Sequence, residues 1–126
     1  MSKQSLNLGK SGEELAVKLL QKNGYKVIAR NYKSPLGEID IIAKDKETIC
    51  FVEVKTRRTD KFGSPLEAVS HFKQRQISKV VLEFLKKNKL LDSSARFDVV
   101  SVLYEKDEPK SELLKNAFEL SSGYTY

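Results

Sequence analysis

Thiol and imidazole groups are nearly absent from this chain of 126 residues, which has one cysteine, one histidine, one methionine and no tryptophan. Because Cys50 is alone, an intramolecular disulfide and a cysteine-cluster metal site are excluded. His71 is equally alone, which excludes a multi-histidine zinc site and any mechanism that needs two imidazoles. The chemistry of the protein therefore has to come from other side chains.

Long apolar runs are also absent. No stretch approaches the roughly 18–20 residues of a membrane-spanning helix, and residues 1–10 contain no apolar core of signal-peptide length. Together with the lone thiol, this predicts a cytoplasmic protein with no membrane partner. Charge is abundant instead, with 23 Lys and Arg against 17 Asp and Glu, a formal net charge of +6. A surplus of this sign favours a polyanionic partner, nucleic acid before others.

Capping and turn signals divide the chain into helices and strands. Ser11 as N-cap with Glu14 three residues later forms a capping box that predicts a first helix. Ser64 before Pro65 repeats the start signal for a long second helix. The predicted helices span residues 10–23 and 65–88, and the predicted strands span 25–32, 37–43, 48–56, 96–104 and 116–120.

The connections between these elements predict the topology. Short polar links between the first three strands favour an antiparallel meander, whereas the helix before the fourth strand favours a parallel crossover. The expected fold is α/β, a mixed β-sheet flanked by helices in the order α-β-β-β-α-β-β. A single domain over residues 1–120 and a polar tail at 121–126 complete the expected organisation.

Acidic side chains interrupt the apolar second and third strands at Asp40 and Glu53. Strand alternation places Glu53 and Lys55 on one face, about 7 Å apart, and pairing of the two strands would bring Asp40 beside them. The same alternation predicts that Ile39 and Ile41 share the opposite face of the second strand. Two adjacent carboxylates repel, and a hard cation such as Mg²⁺ removes that conflict. The residues leave two interpretations open: metal-assisted phosphodiester hydrolysis, or a solvated face with an ordinary Glu–Lys pair.

The first predicted helix contributes a third candidate carboxylate. Its apolar arc consists of Leu15, Ala16, Leu19 and Leu20. Glu13 falls at the edge of this arc, on the side towards the sheet, whereas Glu14 lies away from it and is explained by capping. Support of the helix dipole is the structural alternative for Glu13. A site role is favoured because an inward charge has to be compensated.

An ordered series of short motifs extends this pattern over most of the chain. The series comprises Gly12-Glu13, Asn31, Gly37-Glu38-Ile39-Asp40, residues 51–57 (FVEVKTR), Phe62-Gly63, Lys73-Gln74 and residues 96–100 (RFDVV). Over about residues 9–120 it resembles the bacterial YraN family, which is similar to archaeal Holliday-junction resolvases of the PD-(D/E)XK nuclease superfamily. The resemblance implies a restriction-endonuclease-like fold and a metal-dependent endonuclease acting on DNA, with branched DNA as a candidate substrate.

Carried over residue by residue, the resemblance implies that Asp40 is the "D" of the motif and that Glu53 and Lys55 are its "E-x-K". Lys55 would position or activate the attacking water. The ligands of Mg²⁺ or Mn²⁺ would be Asp40, Glu53, the backbone carbonyl of Val54 and an assisting Glu13. One departure is Ile39, which stands where the superfamily name has proline.

Basic side chains flank the predicted site. Arg57, Arg58 and Lys61 follow the third strand, Lys73 lies on the second helix, and all four are predicted to contact nucleic-acid phosphates. No recognition-helix signature is present, so base-specific reading is not expected. Resolvase-like relatives act as dimers, so the resemblance also implies a homodimer.

Two other functions remain open from the sequence. The first is a non-catalytic nucleic-acid-binding module that retains the nuclease fold. The second is an interaction protein whose lysines only make it soluble. An intact acidic set argues against a pure binding module, because carboxylates that face phosphates weaken binding.

Overall fold

A computed structural model describes residues 3–58, 70–105 and 108–119, with side chains from residue 10 onward. Its elements are α1 (Lys3–Lys22), β1 (Lys26–Ser34), β2 (Gly37–Asp45), β3 (Thr48–Arg57), α2 (His71–Lys87), β4 (Ala95–Glu105) and β5 (Glu108–Phe118). The predicted order α-β-β-β-α-β-β is therefore confirmed. None of the described helices combines the length and the apolarity that crossing a bilayer requires.

The strands form one five-stranded mixed sheet in the order β1-β2-β3-β4-β5. β1 pairs with β2 and β2 with β3 in antiparallel fashion, as the short links between them predict. β3 and β4 are parallel, because α2 lies between them along the chain and allows the crossover. β5 returns antiparallel to β4 and forms the second edge of the sheet.

Each face of the sheet is covered by an apolar cluster. The α1-side core contains Ala16, Val17, Leu20, Tyr25, Ile41, Ala43, Cys50, Val52, Val100 and Val102. The α2-side core contains Ile39, Ile42, Ile49, Phe51, Ile77, Val80, Val81, Phe84, Leu85, Phe97 and Val99. Burial raises the pKa of the Cys50 thiol to about 12, so this residue packs as a small hydrophobe. The core thus consists of two layers that hold the central strands from both sides.

Helix α1 differs from its prediction at its start. It begins at Lys3, so Ser11 is inside the helix and accepts a hydrogen bond from the Tyr104 hydroxyl at 2.9 Å. The capping box predicted for Ser11 and Glu14 is therefore wrong, and Glu14 instead forms an ion pair with Arg30 at 2.7 Å. The predicted inward arc is confirmed, since Ala16 and Leu20 are fully buried.

Helix α2 also differs from its prediction. Ser70 is extended, with φ −65° and ψ 162°, and its hydroxyl accepts a hydrogen bond from the Lys73 backbone N–H. A continuous helix over residues 65–88 is therefore wrong, because the helix begins after this cap. Phe72, in the first turn of this helix, is 62% exposed. The predicted cap at Ser64 lies outside the described residues.

The last strand is longer than predicted. β5 spans Glu108–Phe118, whereas the sequence indicated a strand only at residues 116–120 and a loop around Pro109. Pro109 lies opposite Tyr104 on an edge strand, where a residue without an N–H is tolerated. Seven of the eleven residues of β5 are exposed, including the whole run 108–112, so its apolar signal is weak and the pairing with β4 decides its structure.

A buried charged network connects the residue before β1, the end of β2, the start of β4 and the last part of β5. Asp98, fully buried, accepts hydrogen bonds from the Tyr25 hydroxyl at 2.7 Å, from Arg96 Nε at 3.0 Å and from the Asn116 backbone N–H at 2.9 Å. Arg96 also donates to Asp45 at 2.6 Å. The protein itself satisfies this buried carboxylate, which indicates a structural role for Asp98.

Gly12 of α1 approaches β3 closely. A Cβ atom at this position would overlap the Thr56 hydroxyl oxygen. A helix-interior glycine is normally less stable than alanine by about 0.5–1 kcal/mol. Its presence here is explained by the short distance between helix and strand.

We therefore expect Gly12→Ala to lower the free energy of unfolding by about 1–3 kcal/mol, because the added methyl group overpacks the contact with Thr56. Urea denaturation measures this change. Thr56→Ala, combined with Gly12→Ala, should recover part of the loss because it removes the overlapping oxygen. A gain in stability from Gly12→Ala alone would contradict the close approach of α1 to β3.

Candidate metal centre

The site begins where two strands separate. The antiparallel pairing of β2 with β3 ends at Ile41 opposite Val52, although β2 starts at Gly37 and β3 continues to Arg57. Beyond this point the Asp40 side chain replaces the missing backbone pairing, since Asp40 Oδ2 accepts a hydrogen bond from the Val54 N–H at 2.8 Å. The carboxylate of Asp40 is thereby fixed at the edge of β3.

Strand alternation is broken at Asp40. Ile39 belongs to the α2-side core and Ile41 to the α1-side core, so the prediction that these two residues share a face is wrong. On β1, Asn31 has a φ of 52° and falls between the pairs that link its neighbours to Ile41 and Ile39. Both strands thus lose the regular alternation of their side chains at the level of Asp40.

Glu53 is the buried member of the site, with 4% of its surface exposed. It follows Val52 on β3, and its carboxylate lies 3.9 Å from Lys73 Nζ on α2. Burial, and after it the nearby Asp40 carboxylate, raise the pKa of Glu53 to about 8, although Lys73 and Lys55 act in the opposite direction. Glu53 is therefore a carboxyl group whose charge is not fully compensated by the protein.

Asp40 and Glu53 are close enough for the Asp40 carboxylate to raise the pKa of Glu53. Both are hard oxygen donors, and the backbone at Val54 lies beside them. This donor set fits Mg²⁺ or Mn²⁺, which bind a few carboxylates and complete their coordination with water. Within the described ranges no three acidic, imidazole or thiol groups come together.

Glu13 is brought close to this site but not into it. Its side chain, 19% exposed, accepts hydrogen bonds from Arg30 Nη2 at 3.2 Å and from Asn31 Nδ2 at 3.0 Å. Its inward direction, predicted from the helical arc, is supported by these contacts with β1. Arg30 also holds Glu14, whose pKa is lowered by that hydrogen bond. The contacts of Arg30 and Asn31 with Glu13 were not predicted from the sequence.

The predicted phosphate-binding cations are distributed around the site. Lys73 contacts Glu53, a partner that the sequence did not predict. Arg57 is half-buried at the end of β3, and Arg58 follows it at the surface. Lys61 lies outside the described residues. Strand alternation puts Arg57 on the same face of β3 as Lys55 and Glu53. Two basic side chains therefore follow Glu53 along this face.

A cavity of about 360 Å³ lies elsewhere, on the α2 side near the start of β4. Phe51, Leu85, Phe97 and Phe118 contribute to its lining. None of the predicted site residues does so. The candidate site therefore lies outside this cavity.

Fold and site together define a mixed α/β protein with a pair of carboxyl groups at the point where β2 and β3 separate. Residues 12–102 match the model of a family described as "Uncharacterised protein family UPF0102". The chain belongs to this family, which confirms the YraN-type membership expected from the motif series. The match includes Glu13, Asp40, Glu53 and Lys55.

Relatives in this family match nearly the whole chain. A UPF0102 protein of Geobacter metallireducens is 50% identical over 121 residues, covering 96% of this chain and 99% of the relative. A UPF0102 protein of Syntrophus aciditrophicus is 48% identical over 120 residues, covering 95% and 94%. A solved structure, SSO0001, aligns with 93% of this chain and 55% of its own length, at 17% identity and a TM-score of 0.43. This chain spans about half of that protein.

The raised pKa of Glu53 predicts a pH-dependent stability. Between the reference value of 4.5 and about 8, the folded chain binds a proton that the unfolded chain has released. The free energy of unfolding should therefore fall as the pH rises through this range. In EDTA, the titration of Glu53 should lower the free energy of unfolding of wild type by on the order of 1–3 kcal/mol between about pH 5 and pH 8. Glu53→Gln lacks this titrating group, so its free energy of unfolding should not show this decrease.

Urea denaturation at several pH values measures this difference. Glu47→Gln removes an exposed carboxyl group from the turn between β2 and β3 and serves as the matched control. It should keep the wild-type slope. Parallel pH profiles for wild type and Glu53→Gln would contradict the assignment of the slope to Glu53.

Proposed function

We propose that this protein is a Mg²⁺- or Mn²⁺-dependent endonuclease of restriction-endonuclease-like, PD-(D/E)XK type that hydrolyses DNA phosphodiester bonds. One observation carries the proposal: Asp40 and the buried Glu53 meet where β2 and β3 separate, with Lys55 two residues further along β3. A buried carboxyl group that is repelled by a second carboxylate has little structural benefit. The same pair is suited to holding a divalent cation.

Asp40, Glu53 and the backbone carbonyl of Val54 would hold the cation, and Glu13 would assist from α1. The bound cation would supply Lewis-acid stabilisation of the phosphate oxygens and lower the pKa of a bound water. Asp40 is already oriented by the Val54 N–H, so its carboxylate needs little reorganisation. The burial of Glu53 keeps competing water away from its carboxylate.

Lys55 would act on the attacking water or on the charge that develops at the phosphate. It shares the Glu53 face of β3 and is close enough to lower the pKa of that carboxyl group. A cation there stabilises negative charge in the transition state more strongly than in the substrate. Lys55 is therefore expected to affect the rate more than substrate affinity.

DNA is the proposed substrate because of the cations beside the carboxylates. Arg57, Arg58 and Lys73 lie at the end of β3 and at the start of α2. Their contacts with phosphates would bind DNA of any sequence, with an affinity that falls as salt increases. The half-exposed side chain of Lys73 can exchange Glu53 for a phosphate once a cation neutralises that carboxylate. A preference for branched DNA and a homodimer are the finer parts of the proposal.

Cleavage assays test the proposal. Labelled single-stranded, duplex and four-way-junction DNA are incubated with Mg²⁺ or Mn²⁺, and with EDTA as the metal-free reference. Wild type should cleave at least one of these substrates only when the metal is present. Asp40→Asn and Lys55→Ala should each reduce the rate roughly 100-fold or more, because one loses a metal ligand and the other a transition-state cation.

Matched controls separate the site from the surface. Asp92→Asn repeats the Asp40 substitution, and Lys87→Ala repeats the Lys55 substitution, both at exposed positions away from the site. Both controls should retain the wild-type rate. Activity that survives Asp40→Asn and Lys55→Ala would refute the assignment, whereas salt-dependent DNA binding without any cleavage by wild type would identify a non-catalytic binding module.

A further inference from the structure

Asn31 has an unusual backbone for a residue inside a strand. Its φ of 52° lies in the left-handed region, which is strained for most side chains and better tolerated by asparagine. It falls between the register pairs Arg30–Ile41 and Tyr32–Ile39, so it lies across from Asp40 on the neighbouring strand. A strained conformation at this level is maintained only if the surrounding structure gains from it.

The Asn31 side chain accounts for that gain. Its Nδ2 donates a hydrogen bond of 3.0 Å to Glu13 Oε1, which links β1 to α1. Ordinary alternation would place consecutive side chains on opposite faces, yet Arg30 and Asn31 both reach Glu13. The left-handed turn at Asn31 therefore directs a second donor to the same carboxylate oxygen.

The two donors differ in what they do to Glu13. Arg30 is cationic, and its shortest contact, 2.7 Å, is with Glu14 rather than Glu13. An arginine that pairs with Glu13 competes electrostatically with a metal ion for that carboxylate. The amide of Asn31 is neutral, so it can orient the carboxylate while leaving its negative charge available.

We propose that Asn31 is a positioning residue, which holds Glu13 in place for the divalent cation at Asp40. The inference rests on the proposed function and extends it to a residue that touches neither the cation nor DNA. Three observations support it together: the left-handed backbone, the amide contact with Glu13 and the place in the register opposite Asp40. Hydrogen bonds that orient a metal ligand commonly change metal affinity by about 10–100-fold.

The test is Asn31→Gly, which keeps a backbone that accepts positive φ and removes only the amide side chain. Its Mn²⁺ affinity, measured by titration calorimetry, should fall about 10-fold. The rate constant kcat for DNA cleavage should fall with it, while KM for DNA should stay near the wild-type value. In a Glu13→Gln background, Asn31→Gly should cause little further loss, because its effect acts through Glu13.

Lys46→Gly is the matched control, since Lys46 has a φ of 56° and is exposed in the turn between β2 and β3. It should leave Mn²⁺ affinity unchanged. Equal Mn²⁺ affinities for Asn31→Gly and Lys46→Gly would overturn the inference. So would an Asn31→Gly effect that is as large in the Glu13→Gln background as in wild type.

The outcomes also separate this inference from the proposed function. If wild type binds Mn²⁺ and cleaves DNA but Asn31→Gly does so equally well, only the role of Asn31 is refuted. If wild type binds no Mn²⁺, both proposals are refuted. A loss of thermal stability in Asn31→Gly without a change in Mn²⁺ affinity would assign Asn31 a structural role and overturn the inference.

Discussion

The hydrogen bond from the Val54 N–H to the Asp40 carboxylate is the interaction on which the site depends. It forms where the pairing of β2 and β3 ends, and it satisfies a backbone donor that would otherwise lose its partner in a half-buried position. The same bond fixes Asp40 next to Glu53. A feature of strand pairing thus brings together two carboxylates that repel each other, and the two cores hold them in place.

That arrangement couples structure to chemistry through charge. Glu53 is buried beside Asp40, and Lys73 and Lys55 compensate it only in part, so its pKa remains well above the ordinary value. The cost of this burial is small compared with the apolar burial on both faces of the sheet, which maintains the fold. In the proposed nuclease, a divalent cation would supply the missing positive charge. The lysines would then be free to act on water and phosphate.

Much of the fold could be predicted from the sequence, because strand length, turn residues and the crossover helix are local signals. The order of elements and the pairing of β3 with β4 followed from them. The capping box predicted at Ser11 was wrong because α1 already begins at Lys3, before the residues that carry the capping pattern. Strand alternation held along β3, where Val52 and Val54 both lie on the α1 side, but it failed at Asp40, where Asn31 of the neighbouring strand has a φ of 52° and the pairing with β3 ends. Irregularities of this kind depend on contacts between strands, which single-strand periodicity does not contain.

The proposed function requires that Asp40 and Glu53 together bind a divalent cation. It is tested most directly by a crystal structure of the protein grown with Mn²⁺, in which anomalous scattering locates the ion. We expect a Mn²⁺ peak within about 2.0–2.4 Å of a carboxylate oxygen of each residue and of the Val54 carbonyl oxygen. A structure that contains Mn²⁺ elsewhere, with both carboxylates unligated, would contradict it.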